Sequence, residues 1–557
     1  MTAPRRLTRV RSRRPRHLGL IVLVVLVVVL LVIPSLVNLV AEGLWFAAIG
    51  YERVFTTQLA AQALLGTGTS ILAFAFLYAN LRLAQRGFVP NPLVVQLSAA
   101  AAPVDVTRLS RRLALPGALG VALLFGIGVT QDWLGVLQFL HQTPFGTTDP
   151  VFGRDLGYYV FTVPVIGSGI GVATTLTTLA LLATLLLYTV HRDIVVFQRH
   201  VTVGPPARLH VAALIALLFL LAALRVYVVR LPGLLYSTTG PLVGASFADL
   251  HAKLTGLRVA GVIAVAGGGL VLWGARRDRL VRSVLVAIGL YLGVSLLSVV
   301  VYPALVERLV VAPNELQKEM PQLAFHVDAT RRAWGLDRVV TRDLTGEAGL
   351  TEADIEANRT TIQNVRLWDR EPLLQTFAQL QEIRTYYDFV SVDDDRYWID
   401  GQYRQVLLSP RELNSGSLPT RTFINERLTF THGMGLTLGP VNQVTAEGLP
   451  VLFIKDLPPA STGSLRVTRP EIYYGELTDS WVFARTRQPE FDYPLGDANI
   501  FTSYAGSGGV RVGSFLRRIV LAAYFGSLNV LLSSDIANDS RAMYVRNIGE
   551  RARMALP

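Results

Sequence analysis

The chain has no cysteine at any of its 557 positions. That excludes disulfides, cysteine-ligated zinc and thiol chemistry. Lysine is nearly missing as well. It occurs only as Lys253, Lys318 and Lys455, so the net charge of +12 is carried by arginine. The 8 histidines are scattered and none stands in a His-Glu-x-x-His pattern. Ser533 and Ser534 lack a Gly-x-Ser-x-Gly frame. Gly506-Ser507-Gly508-Gly509 is not followed by Gly-Lys-Ser/Thr, which predicts a flexible turn rather than a phosphate loop. Asp393-Asp394-Asp395 could hold a hard cation, but the glycine and glutamate positions of an EF-hand loop are not filled. A solvated turn is expected there instead. No catalytic set, cofactor box or metal set emerges, and the sequence favours a role other than catalysis.

What the chain has is apolar length. Hydrophobic residues make up 51% of it, and the mean hydropathy is +0.42. The excess lies in the first 300 residues, as several runs long enough to cross a bilayer as helices. The first begins at Leu18, after an Arg-rich tail holding Arg5, Arg6, Arg9, Arg11, Arg13, Arg14 and Arg16. It is longer than the apolar core of a signal peptide, which predicts a retained span. Six more follow near Thr57–Leu81, Leu115–Phe139, Ile166–Val190, His210–Val229, Leu257–Trp273 and Val284–Tyr302. The sixth is short and contains Gly267-Gly268-Gly269, so a re-entrant segment is an alternative. The expected fold is an α-helical integral membrane bundle of about seven transmembrane helices, followed by a mixed α+β extracytoplasmic domain.

Arginine also orients the chain. The tail and the loops after the second, fourth and sixth spans carry the basic clusters, including Arg108, Arg111, Arg112, Arg192, Arg199, Arg208, Arg276, Arg277 and Arg279. The alternate loops carry Glu42, Glu52, Asp149, Asp155 and Asp249. The positive-inside rule then places the tail (1–17) in the cytoplasm, the spans within 18–302, and residues 303–557 outside it. The same pattern accounts for the basic charge as topology signal, so nucleic acid is not an expected partner. The expected partners are the lipid bilayer and envelope proteins, lipids or glycans; the oligomeric state is left open.

The junction Val299–Trp334 divides the chain. Pro303 and Glu307 mark an exit from lipid, and Pro313-Asn314-Glu315-Leu316 begins a polar stretch. Beyond it, Thr351-Glu352-Ala353-Asp354 has the form of a capping box, and Glu371–Tyr386 has helical apolar spacing. Tyr387–Val392, Arg396–Ile399, Arg404–Leu408, Leu428–Thr431, Val451–Ile454, Glu471–Tyr474 and Trp481–Ala484 read as strands, with turns at Asp393–Asp395 and Asp400-Gly401. Ser514–Leu532 is apolar but interrupted by Arg517, Arg518 and Gly526, which predicts a buried helix rather than an eighth span. Arg541–Arg553 is expected to be helical.

Several stretches resemble a known family. They are Leu44-Trp45-Phe46 with Gly50-Tyr51, Asp155-Leu156-Gly157-Tyr158-Tyr159-Val160-Phe161, and Gly244-Ala245-Ser246-Phe247-Ala248-Asp249. Further matches are Tyr302-Pro303, Pro313-Asn314-Glu315-Leu316, Ala329-Thr330-Arg331, Asn364-Val365-Arg366-Leu367-Trp368-Asp369 and Tyr473-Tyr474-Gly475-Glu476. Together they resemble Uncharacterised Protein Family 0182, a group of large bacterial membrane proteins. The resemblance implies a multi-pass plasma-membrane protein with a large extracytoplasmic region and no assigned activity. It also implies that members run on beyond residue 557, so an outer domain cut short is expected.

Charged residues inside spans are expensive and usually have a partner. Asp132 in the third span and Arg225 in the fifth fall at similar depth, which makes them the candidate intramembrane ion pair. Two function classes remain. One is an envelope anchoring or interaction protein; the other is a transporter or lipid-handling protein. The sequence shows no internal repeat of the kind transporters carry, which favours the first.

Overall fold

The computed structural model describes residues 26, 28–86, 94–95, 104–198, 200–241, 243–343, 346, 349–496 and 498–556. The Arg-rich tail and the start of the first span lie outside these. Among the described residues, seven helices are long and apolar enough to cross a membrane. They are α1 (Val29–Ala48), α2 (Glu52–Ala84), α3 (Val106–Leu140), α4 (Tyr158–Val190), α5 (Pro205–Arg230), α6 (Asp249–Arg276) and α7 (Leu280–Ala333). The sixth is a continuous helix of 28 residues, long and apolar enough to cross a membrane.

Proline shapes these helices in a repeated way. Wide, π-type turns occupy Val28–Val32, Tyr158–Thr162, Val226–Arg230, Leu296–Val301 and Glu307–Val311. Each ends two residues before a proline: Pro34, Pro164, Pro232, Pro303 and Pro313. A proline has no N–H and its ring crowds the carbonyl one turn back. Widening the preceding turn relieves that crowding, and the helix continues except at Pro232, where α5 ends at Arg230 and a 3-10 turn follows. The helix therefore does not break at Pro303 and Glu307, where an exit from lipid is expected, nor at Pro313, where the polar stretch begins. Alpha7 runs through both prolines for 54 residues, roughly 80 Å at 1.5 Å per residue, which is more than twice a bilayer core.

The chain forms two compact units, Thr57–Asp343 and, separately, Met1–Thr56 with Leu344–Pro557. In the first unit the helices approach closely at small residues. A Cβ at Gly126 would meet Ser70 Oγ at 1.9 Å and Gly66 O at 2.5 Å, and one at Gly256 would meet Ser298 O at 2.1 Å. Close backbone approach of this kind is how helices pack where lipid offers no hydrophobic drive.

The second unit contains α1 and a mixed α+β body. Short helices α8 (Glu352–Ala357) and α9 (Arg370–Gln381) precede the sheets. Alpha8 opens on the expected capping box, with Thr351 and Asp354 bonded reciprocally. Strands β1 (Tyr387–Phe389) and β2 (Asp393–Ile399) both pair antiparallel with the long β3 (Gln402–Leu413), which continues to β4 (Leu436–Pro440). Ile399 faces Gln402 across a two-residue turn. Asp400 and Gly401 both have positive φ (51° and 75°) there, as such tight hairpins require. Leu373 and Phe377 of α9 pack on Phe389, Val392 and Leu407.

Three local expectations are corrected. Asp393–Asp395 is strand, opposite Leu408, Leu407 and Val406. Its carboxylates remain exposed, so a charged edge strand accommodates them. Leu428–Thr431 is not strand: Asn425–Thr429 form a wide helical turn that drives Leu428 into the core. Arg541–Arg553 is divided. Arg541–Met543 pairs with Val482–Ala484 as a strand, and only Ile548–Ala555 is helix. Ser514–Leu532 forms two short helices, α10 (Phe515–Tyr524) and α11 (Leu528–Leu532), neither long enough to span.

Candidate functional site

The third helix is interrupted where its only acidic residue past Asp105 sits. Thr130–Asp132 tighten into a 3-10 turn, and Thr130 Oγ1 donates to Ile127 O at 2.6 Å. The turn presents Asp132 toward α4, whose Ser168 Oγ donates to Asp132 Oδ2 at 2.6 Å. Ser168 stands in Gly167-Ser168-Gly169, just after Pro164, where missing side chains leave room beside the helix.

That room is a cavity of about 740 Å³ bounded by α2, α3, α4 and α5. Its walls are chiefly aliphatic and aromatic, with Leu72, Phe76, Val136, Val172, Leu176 and Leu221 among them. Asp132 is the single ionisable residue of the lining, joined by Gln131, Ser168, Thr69 and Thr177. Thr177 is committed to Ala173 O of its own helix at 2.7 Å. A smaller cavity of about 390 Å³ also reaches Asp132 and Ser168. The polar pair therefore stands where two apolar spaces meet. A site of this size and lining accepts a largely apolar molecule with one hydrogen-bonding or cationic group.

The structure does not bring together Asp132 and Arg225. Arg225 is exposed where α5 enters its wide turn. Among the described residues the ion pairs do not include it. Sequence reasoning missed Ser168, though Pro164 followed by three glycines at alternate positions (Gly167, Gly169, Gly171) was a visible sign of a thinned helix. Among the described residues no group of three or more His, Asp or Glu is placed to hold a metal.

The remaining motif residues turn out to be joints. Asp149 is buried and accepts from the amides of Val151, Phe152 and Arg154 and from the Tyr159 hydroxyl (2.6 Å). Burial pushes its carboxyl up, but these hydrogen bonds outweigh burial and hold it below the ordinary 3.8. Asp155 accepts from Phe145, Gly146 and Gly157 amides and is lowered for that reason. In the other unit, Glu412 is buried and accepts from the amides of Glu476 and Leu477 at 2.8 and 2.7 Å. A Cβ on Gly475 would meet that carboxylate at 2.3 Å, so only glycine fits. Asn364 brackets the neighbouring strand, donating to Tyr403 O and accepting from Gln405 N. Arg546 is wholly buried and donates to the carbonyls of Tyr473, Ser480 and Thr431; burial lowers its pKa to about 10.

The model of the uncharacterised protein family UPF0182 matches residues 19–557. A UPF0182 protein of Geotalea uraniireducens is 40% identical over 550 residues, covering 97% of this chain and 60% of its own length. Relatives of the same description from Pelobacter propionicus and Trichlorobacter lovleyi are each 40% identical, covering 97% and 94% of this chain and 60% and 59% of their own. The chain thus spans about three-fifths of the length of the curated relatives it matches. No solved structure matches it. On this coverage the chain belongs to the uncharacterised protein family UPF0182.

Proposed function

We propose that this is a multi-pass plasma-membrane protein that holds a lipid-like amphiphile in the α2–α5 cavity. The observation that carries this reading is a cavity of about 740 Å³ whose apolar lining contains one carboxylate, Asp132. An acyl chain fills such walls at a gain of about 0.8 kcal/mol per buried CH₂ relative to water. Asp132 and Ser168 would fix the polar end. The topology that accompanies the reading has the N-terminus in the cytoplasm and the α+β body outside.

Gly169 offers a direct test. It lines the cavity, and a Cβ there meets nothing within 4 Å. Gly169→Phe should fill the space without displacing a neighbour. Protein purified in mild detergent should carry bound lipid in native mass spectrometry, and Gly169→Phe should reduce that lipid at least several-fold. Equal lipid on both proteins would refute the reading.

A second reading is an envelope anchoring or interaction protein. It is favoured by the union of α1 with the α+β body, since an outer domain fastened to its own membrane helix is held at a fixed place for a partner. Lipid-free protein that binds an envelope component through residues 344–557 would support it over the first.

A further inference from the structure

The fold buries only part of the apolar surface of α10. Leu521 and Ala522 are buried against Trp45 and Phe46 of α1, with Tyr524 and Phe525 partly buried beside them. Phe515, Leu516 and Ile519, grouped toward the start of the helix by their spacing of one and four, stay open. They are 65%, 74% and 40% exposed. After the turn at Gly526, Leu528 and Leu532 of α11 lie one helical turn apart and are 72% and 75% exposed. From Gly513 to Ser534 there is no acidic residue, while Arg517 is exposed and Arg518 is half-buried. Apolar residues on one face with arginine alongside are the composition of a helix that lies in a membrane surface.

The position of this patch relative to α1 selects its occupant. Residues 18–40 form an uncharged run of 23 residues, long enough by sequence to cross a hydrocarbon core at about 1.5 Å per residue. The boundary of the bilayer then falls at Val40–Ala41. The α+β body takes hold at that level. Tyr544 hydroxyl donates to Ala41 O at 2.7 Å, and Trp45 and Phe46 are each 3% exposed. Below it, Leu36 and Val40 remain outward-facing at 53% and 45%. Alpha10 is thus fixed beside the point where α1 leaves lipid. We propose that Phe515, Leu516, Ile519, Leu528 and Leu532 form a patch resting in the headgroup–acyl boundary of that leaflet, with Arg517 toward lipid phosphate. The proposal rests on the reading that α1 crosses the bilayer.

The absence of native cysteine makes the test clean. Single substitutions Leu516→Cys and Leu532→Cys in the full chain are spin-labelled and reconstituted into phosphatidylethanolamine–phosphatidylglycerol vesicles. Leu31→Cys, 63% exposed on α1, serves as the bilayer reference, and Leu495→Cys, 55% exposed at a strand end, as the water reference. Relaxation by oxygen, which concentrates in lipid, is compared with relaxation by a water-soluble nickel chelate. The oxygen-to-nickel ratio at 516 and 532 should exceed that at 495 several-fold and stay below that at 31. A ratio equal to that at 495 overturns the patch. Protection from both reagents also overturns it, since protein rather than lipid then covers the helix. A water-like Leu31 label would instead overturn the spanning reading on which the patch depends.

Discussion

Glu319 accepts the backbone N–H of Phe247 with both carboxylate oxygens, at 2.9 and 3.0 Å, across 72 residues of sequence. Glu319 is 2% exposed. It lies on α7, and Phe247 lies just before α6, where the first amides of a helix have no partner of their own. Asp249, two residues on, gathers Ser246 and Lys253 at the same helix start. One family-like stretch, Gly244–Asp249, is thereby fastened to α7 three residues past another, Pro313–Leu316.

Removing that acceptor leaves a buried amide unpaired. Glu319→Ala should destabilise the protein by about 1–3 kcal/mol, lowering the detergent melting temperature. Glu319→Gln keeps one acceptor oxygen and should lose less. Equal melting of Glu319→Ala and wild type would mean that the joint contributes nothing.

Seven long apolar helices could be read from the sequence because apolar length is a property of composition alone. The capping box at Thr351 and the tight turn at Asp400-Gly401 were legible because each is a local chemical requirement. What failed was non-local. Leu428–Thr431 has strand-like residues, yet burial of Leu428 beside Phe483 and Val510 takes precedence. The three aspartates at 393–395 suggest a turn until their partner strand is known. Trp45 and Phe46, aromatics of a kind that usually sits at a membrane interface, are core residues of a body whose other buried members begin at Leu428. At the candidate site Asp132 stood out by its charge, but its partner is a neutral serine that no charge rule selects.

The loop 145–159 should respond to acid. The folded Asp149 carboxyl lies below its unfolded value, so its contribution is complete above pH ~4 and is lost as pH falls through the folded value. Amide exchange at Val151 and Phe152 should be steady from pH 7 to about 4, once corrected for intrinsic rates, and should rise below that. Asp149→Asn should show the faster exchange already at neutral pH. Unchanged protection at pH 2.5 would contradict the assignment of these hydrogen bonds to a carboxylate.

Orientation can be read on intact cells. Arg279 and Ala357 are both exposed. In the topology proposed, Ala357→Cys reacts with an impermeant maleimide and Arg279→Cys reacts only after permeabilisation. Labelling of Arg279→Cys alone would reverse the orientation.

The bond from Tyr544 to Ala41 also imposes an order on biosynthesis. Its two residues are 503 positions apart. At ribosomal rates of about 5–20 residues per second, that interval is roughly 25–100 s. Through it Trp45 and Phe46 have left the ribosome, but the strand and helices that bury them do not yet exist. Alpha1 therefore reaches its final packing long after it is made. Until then its aromatic end, Trp45 and Phe46, stays uncovered by the residues that later bury it.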